Sequence, residues 1–296
     1  MKRLIATVCC VLGLAGTARA DDGSERARLE ARLNALETTL AGDVCLHPEA
    51  ARALLAATEP GGSASPISAP AADPALGRNA LVEQLKQAVV MVLTPEGSGS
   101  GFFITPDTLV TNSHVVEGAD PNKIVLIGPA VGGARPARII AQVSGQGLQA
   151  RDYALLKISG TPAKATLPIS AAATELEPVV AAGFPGLLIA NDIQFQRLLH
   201  GTPTGMPDLI LSQGSIMAIQ NRTSALPTIA HSAAISAGNS GGPLVDTCGR
   251  VVGVNTFIRV SVDQASHAGY AIASDDILRF LSEQNVHPTI RTTPCG

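Results

Sequence analysis

The chain has 296 residues, which at about 150 residues per domain suggests roughly two domains. Apolar residues make up 46% and charged residues 15%, so the chain can bury a sizeable core and is not intrinsically disordered. Aromatic residues are only 3%, Trp is absent and the formal charge is −3, which excludes a base-stacking surface and a broad basic field for nucleic acid.

The N-terminus reads as an export signal over residues 1–20. Lys2 and Arg3 precede an apolar run from Leu4 to Gly16, and Ala18-Arg19-Ala20 supplies small residues for cleavage. The run is too short to cross a bilayer, so no stable membrane insertion is expected, and the destination is periplasmic or secreted. Removing the signal leaves 18 basic against 24 acidic residues, because Lys2, Arg3 and Arg19 depart and no acid does.

Residues 21–59 form a helical hairpin segment in this reading. Leu29, Leu33, Leu36 and Leu40 recur at helical spacing, and Pro48 opens a second helix running to Ala57. Residues 24–57 and Cys45 are the candidates for self-association. Residues 60–78 are rich in Pro, Gly, Ser and Ala, which is linker composition. A short helix is expected over Leu81 to Gln87. Twelve short Val- and Ile-rich runs follow, six between Val89 and Ile158 and six between Val179 and Ala273. Their grouping predicts an all-β domain over 79–287 made of two antiparallel six-stranded barrels. A closing helix over Asp275 to Gln284, with Ser274 as its N-cap, and a tail over 288–296 complete the chain.

Three segments carry chemistry. Ser236-Ala-Gly-Asn-Ser-Gly-Gly-Pro243 combines a Ser with the glycines a tight, substrate-exposed turn requires. Taken alone, its alternative is a Gly-rich loop with an incidental Ser, and the catalytic reading is favoured. His114 follows a β run in Leu109-Val-Thr-Asn-Ser-His-Val-Val116, and Asp152 opens the apolar run Asp152 to Lys157. The chain order His, Asp, Ser, with the first two in one strand group and Ser in the other, places a catalytic triad between two barrels. The Gly97-Ser-Gly-Ser-Gly101 run precedes a strand and lacks a following Gly-Lys-Ser/Thr, so it is no nucleotide loop. No His or Cys spacing fits a metal site, and no cofactor is expected.

The segments GSGSGFFITPDTLVTNSHVV, DYALLKI, AAGFPG and SAGNSGGPLVDTCGRVVGVNT resemble trypsin-like serine peptidases of the Deg/HtrA type. The resemblance implies peptide-bond hydrolysis of polypeptide substrates, with Ser240 as nucleophile, His114 as general base and acid, and Asp152 orienting His114. It places the oxyanion hole at the backbone N–H groups of Gly238 and Ser240, with the Asn239 amide adjoining. It also assigns the primary specificity pocket to Ala234, Asn255, Thr256, Phe257 and Gly269, near Ala268. None of these is acidic, so residues such as Ala, Val or Leu are expected before the scissile bond. The competing reading is a catalytically silent protein that binds peptides or acts as a chaperone.

Two features depart from that family. The residues after the last helix are too few for a PDZ domain, and residues 187–207 look expanded. Cys45, Cys248 and Cys295 allow one disulfide and one odd thiol in an oxidising compartment, in several connectivities. Cys248–Cys295 is the pairing expected, because Cys248 lies in a hairpin turn that the C-terminal tail can reach.

Overall fold

The computed structural model describes residues 72–145, 151–171, 173–200, 205–222, 226–260 and 267–296. The expected signal, the helical hairpin and Cys45 lie outside them. Helix α1 (Arg78–Ala88) buries Leu81, Leu85 and Ala88 at helical spacing, and ends where the β-branched run of β1 begins. It is longer at both ends than the expected Leu81 to Gln87.

The first barrel is a closed ring in the order β1, β2, β3, β6, β5, β4. Its strands are β1 (Val89–Leu93), β2 (Ser98–Phe103), β3 (Thr108–Thr111), β4 (Ile124–Gly128), β5 (Gly133–Ser144) and β6 (Asp152–Lys157). Two further strands mark the second half: β7 (Ile169–Ser170) and β8 (Pro178–Gly183), the latter followed by helices α2 (Gly186–Ile189) and α3 (Ile193–Leu199). Then come β9 (Ile210–Gln220), β10 (Thr228–His231), β11 (Pro243–Asp246), β12 (Val251–Val260) and β13 (His267–Ala273). Strands β8, β9, β10, β13, β12 and β11 form the second ring, closed by the β11–β12 pairing. Both six-stranded barrels match the sequence expectation. An addition to it is the short β7, which pairs in parallel with β12 and with β14 (Ile290–Arg291).

Strand alternation explains why most runs read as continuously apolar. Along β1, Val90 and Val92 point into the first barrel with Phe103, Leu109, Ile124 and Leu156. Val89 and Met91 point the other way, into a second layer with Phe102, Val110, Tyr153 and Leu155. That layer also contains Val180, Ala182, Val245 and Val254 from the second barrel, so the inter-barrel faces are buried too. A strand covered on both sides has no polar face to show. Strand β5 is mostly exposed on one face and correspondingly alternates.

The last helix, α4 (Ser274–Glu283), begins one residue earlier than expected. Ala273, in extended conformation, is its N-cap, and the Ser274 hydroxyl instead donates to the Ser170 carbonyl at 2.5 Å. Asp275 and Asp276 sit in its first turn, where carboxylates complement the helix dipole.

Residues 72–77, grouped with the linker by composition, already pack with the domain. Asp73 donates its backbone N–H to the Pro294 carbonyl at 2.8 Å, and Leu76 does so to Thr247 at 2.9 Å. Buried Arg250 gathers this corner, bonding the Asp246 carboxylate at 2.7 Å and the Thr293 carbonyl at 2.6 Å. The Cα atoms of Cys248 and Cys295 stand 5.9 Å apart there, with their sulfurs at bonding distance. Among the described residues no helix is long and apolar enough to cross a membrane.

Candidate active site

His114 sits on a single 3₁₀ turn (Ser113–Val115) immediately after β3, and Asp152 is the first residue of β6. Because β3 and β6 are hydrogen-bonded neighbours, that short turn brings the two together. The contact has two points. The His114 backbone N–H donates to Asp152 Oδ1 at 3.0 Å, and His114 Nδ1 meets Asp152 Oδ2 at 2.6 Å. An ionised carboxylate only accepts, so Nδ1 is the donor in this contact and Nε2 is left outside it. The Asp152 side chain is 19% exposed and that of His114 44%, so the ring edge faces solvent while its support is shielded.

Ser240 lies in the turn before β11, opposite the first barrel. Its backbone carbonyl accepts from the Ser100 N–H at 2.8 Å, which ties the turn to β2. The Ser240 hydroxyl donates to the Thr256 carbonyl at 3.1 Å. The same Thr256 offers Oγ1 to the Asn112 amide at 3.3 Å, and Asn112 also donates to the Asp152 carbonyl at 2.7 Å. A buried Asn beside His114 thus spans both barrels.

Two glycines make the Ser240 turn possible. Gly238 has φ +98° and Gly241 φ +82°, a region that disfavours any side chain. A Cβ on Gly238 would come within 2.4 Å of the Phe184 carbonyl, and one on Gly241 within 2.3 Å of the Ser100 carbonyl. Asn239 is buried, its backbone N–H donates to the Ser236 carbonyl at 3.0 Å, and its Oδ1 accepts from the Ser236 N–H at 2.9 Å. The Asn239 N–H is therefore spent within the turn, whereas those of Gly238 and Ser240 have no acceptor among the described residues. An oxyanion needs donors with that spare capacity.

The pocket residues divide. Thr256 adjoins Ser240, and Ala234 is exposed, with its N–H donating to Ser212 Oγ at 2.8 Å. Phe257 lies on β12, with its side chain outside the described residues. Asn255 and Gly269 do not offer side-chain positions toward Ser240. The Asn255 amide turns to the Pro243 carbonyl at 3.0 Å, and a Cβ on Gly269 would strike the buried His231 ring at 2.3 Å. Both face packed protein.

One residue at the site escaped the sequence reading. Ser100, fully buried, donates its hydroxyl to the Gly238 carbonyl at 2.6 Å and accepts the Phe184 N–H at 2.9 Å. Its signal was the Gly97-Ser-Gly-Ser-Gly101 run, whose glycines allow this close approach. The expanded segment after Phe184 contains α2 and α3. Asp192 caps α3, accepting from the Gln194 and Phe195 N–H groups at 2.7 and 3.1 Å, and its other oxygen accepts from Asp208 at 2.8 Å. Burial opposes the ionised form, but these three backbone donors hold the carboxyl below its ordinary range.

The profile of the trypsin-like peptidase domain matches residues 99–254. The chain is 32% identical over 196 residues to the magnetosome formation protease MamE of Paramagnetospirillum magneticum, covering 64% of this chain and 24% of that protein. It is 32% identical over 190 residues to the serine protease Do-like HtrA of Bacillus subtilis, covering 62% and 38%. It is 30% identical over 207 residues to the chloroplastic protease Do-like 1 of Arabidopsis thaliana, covering 67% and 42%. The chain thus spans 24% to 42% of the length of these relatives. Among solved structures, the serine endoprotease of Yersinia pestis matches with a TM-score of 0.52 and 26% identity, over 71% of this chain and 66% of that one. The Rv3671c protease in its inactive form matches with a TM-score of 0.51 and 23% identity, over 74% and 98%.

Proposed function

Since the chain belongs to the trypsin-like peptidase family, we propose that it is an exported serine endopeptidase working through His114, Asp152 and Ser240. The observation that carries this reading is the two-point clasp of His114 by Asp152, which fixes the ring through Nδ1 and keeps Nε2 out of the contact. In the proposed cycle Ser240 Oγ leaves the Thr256 carbonyl, gives its proton to His114 Nε2 and attacks the substrate carbonyl. The oxyanion is received by the N–H groups of Gly238 and Ser240. His114, its charge stabilised by Asp152, then protonates the leaving amine, and water repeats the sequence on the acyl-enzyme.

Substrate choice is read from the proposed pocket residues Ala234, Asn255, Thr256, Phe257 and Gly269, none of which carries a charge. A substrate Arg or Lys would lose water beside Ala234 and Thr256 without a partner, which is strongly unfavourable. Small or medium aliphatic residues are proposed before the scissile bond, with discrimination among them of roughly 10–200-fold. Asn239 is neutral where digestive relatives use a carboxylate to bind a new N-terminus, so activity is proposed to need no processing near residue 79.

The test is labelling of the full chain with a fluorophosphonate, with Ser240→Ala as control, followed by peptides varying only the residue before the scissile bond. Labelling confined to Ser240 and a higher kcat/KM for Val than for Arg are expected. A specific observation favours the second reading, a silent peptide-binding protein: the Ser240 hydroxyl is engaged by Thr256. Folded protein that stays unlabelled with and without peptide substrate would decide for it.

A further inference from the structure

The first barrel carries a charged groove that the peptidase reading leaves unused. It is open, about 590 Å³ in volume, and lined by Asn122, Arg135, Arg138, Lys157, Ser159 and Thr161 together with small residues and prolines. Its lining holds three cations and no acid, in a chain with 24 acidic against 21 basic residues. Strand register makes the concentration more pointed. Arg138 on β5 is the direct cross-strand partner of Lys157 on β6, and like charges placed opposite each other repel.

The groups around this pair relieve it only in part. The Lys157 ammonium is held by Asp107 at 2.8 Å, at the groove margin. The Arg135 guanidinium donates to the Thr161 carbonyl, which fixes one nitrogen and leaves most of its donors unspent. Arg138 is exposed and has no hydrogen-bond or ion-pair partner among the described residues. An anion seated between Arg138, Lys157 and Arg135 would remove the repulsion and use the idle donors.

We propose that this groove docks an acidic stretch of polypeptide, whose carboxylates are held by Arg138 and Arg135 beside Lys157. Planar guanidinium forks suit carboxylates, and Asn122, Ser159 and Thr161 supply polar groups for the intervening backbone. That the stretch belongs to a substrate rests on the endopeptidase reading. Lys157 ends the strand that Asp152 begins, so the groove lies about 16 Å from the His114–Asp152 pair at the rise of an extended strand. The acidic stretch must therefore stand at least about five residues from the bond that is cut.

Binding is tested on the full chain carrying Ser240→Ala, by fluorescence anisotropy. The probes are a twelve-residue peptide rich in Asp and Glu and its Asn/Gln counterpart. The acidic peptide should bind at least tenfold more tightly, with an affinity that falls as salt rises. Arg138→Glu should weaken it tenfold or more and Arg138→Gln by less, whereas Arg291→Glu, on exposed β14 away from the groove, should change it little. Equal binding of both peptides, or equal loss in Arg138→Glu and Arg291→Glu, overturns the groove. In the active chain Arg138→Glu should raise KM for a substrate carrying the acidic stretch and leave a short neutral peptide unaffected. Binding without any cleavage would sink the endopeptidase reading and leave the groove standing. Cleavage with unchanged binding in Arg138→Glu would do the reverse.

Discussion

Arg151 donates from Nε to the fully buried carboxylate of Asp276 at 3.0 Å, so the residue before Asp152 is held by the last helix of the chain. Its Nη1 also reaches Glu283 at 2.9 Å, and Tyr153, on the other side of Asp152, stacks on Phe280 with ring centroids 5.5 Å apart. The position of Asp152, and through it of His114, thus depends on α4.

A double-mutant cycle with Arg151→Met and Asp276→Asn tests that latch. Breaking a buried pair from one side leaves a charge poorly compensated, with Arg279 as the other cation on Asp276 among the described residues. A coupling energy of about 1–3 kcal/mol in urea unfolding is expected, together with a lower kcat at unchanged KM in Arg151→Met. Coupling within measurement error, about 0.3 kcal/mol, would show that α4 does not steady Asp152.

Ser100 acts on the other half of the site. Ser100→Ala would leave the buried Phe184 N–H and the Gly238 carbonyl without their shared hydroxyl. A stability loss of about 1–3 kcal/mol follows from unsatisfied buried polar groups. Because Gly238 belongs to the proposed oxyanion hole, kcat should fall more than KM rises. A variant destabilised by that amount but with kcat intact would separate Ser100 from catalysis.

The difference between what the sequence disclosed and what it hid is one of range. The barrel strands were legible because burial on both faces writes Val and Ile into consecutive positions, as in Val89–Leu93. The segments around His114, Asp152 and Ser240 were legible because each is local, with its turn residues adjacent in sequence. Ser100 and Arg151 were not, since their partners lie 138 and 125 residues away and only the folded chain brings them together. The directions that Asn255 and Gly269 face were hidden for a related reason. Proximity in sequence to Thr256 does not say which face of the strand a residue takes, and the Asn255 amide turns to Pro243 instead. The two-residue strand β7 is too short for any periodicity to mark it.

Acid should destabilise the chain through His231. Its ring is fully buried on β10, beside the Asn255 side chain and the Ala233 backbone. Burial pushes the imidazole down from 6.5 to about 4. The unfolded chain therefore takes up a proton near pH 6.5 that the folded chain refuses until about pH 4. Stability is fully present above the upper value and drains away between the two, by about 3 kcal/mol in all. Glu177, whose carboxyl burial raises, works in the opposite direction, so the comparison must isolate His231. Urea unfolding at pH 7 and pH 4.5 should show His231→Gln losing about 2–3 kcal/mol less than wild type over that interval. Equal losses would show that the ring is protonated or solvated in the folded state.

Cys248 and Cys295 close the corner where residues 72–77, the β11–β12 turn and the C-terminal tail meet. They are 47 residues apart in sequence, and in the chain-entropy account a crosslink of that span stabilises by about 4 kcal/mol. The tail has a second hold, because Arg250 bonds the Thr293 carbonyl and the Asp73 carboxylate, and β14 pairs with β7. Cys295→Ser should therefore lower stability by about 2–4 kcal/mol without releasing the tail or abolishing activity. Protein lacking residues 1–20 and folded under oxidising conditions should titrate as one thiol, from Cys45, and peptide mapping without reductant should join Cys248 to Cys295. Three free thiols, or a peptide joining Cys45 to Cys248, would show that this corner is held by Arg250 and strand pairing alone.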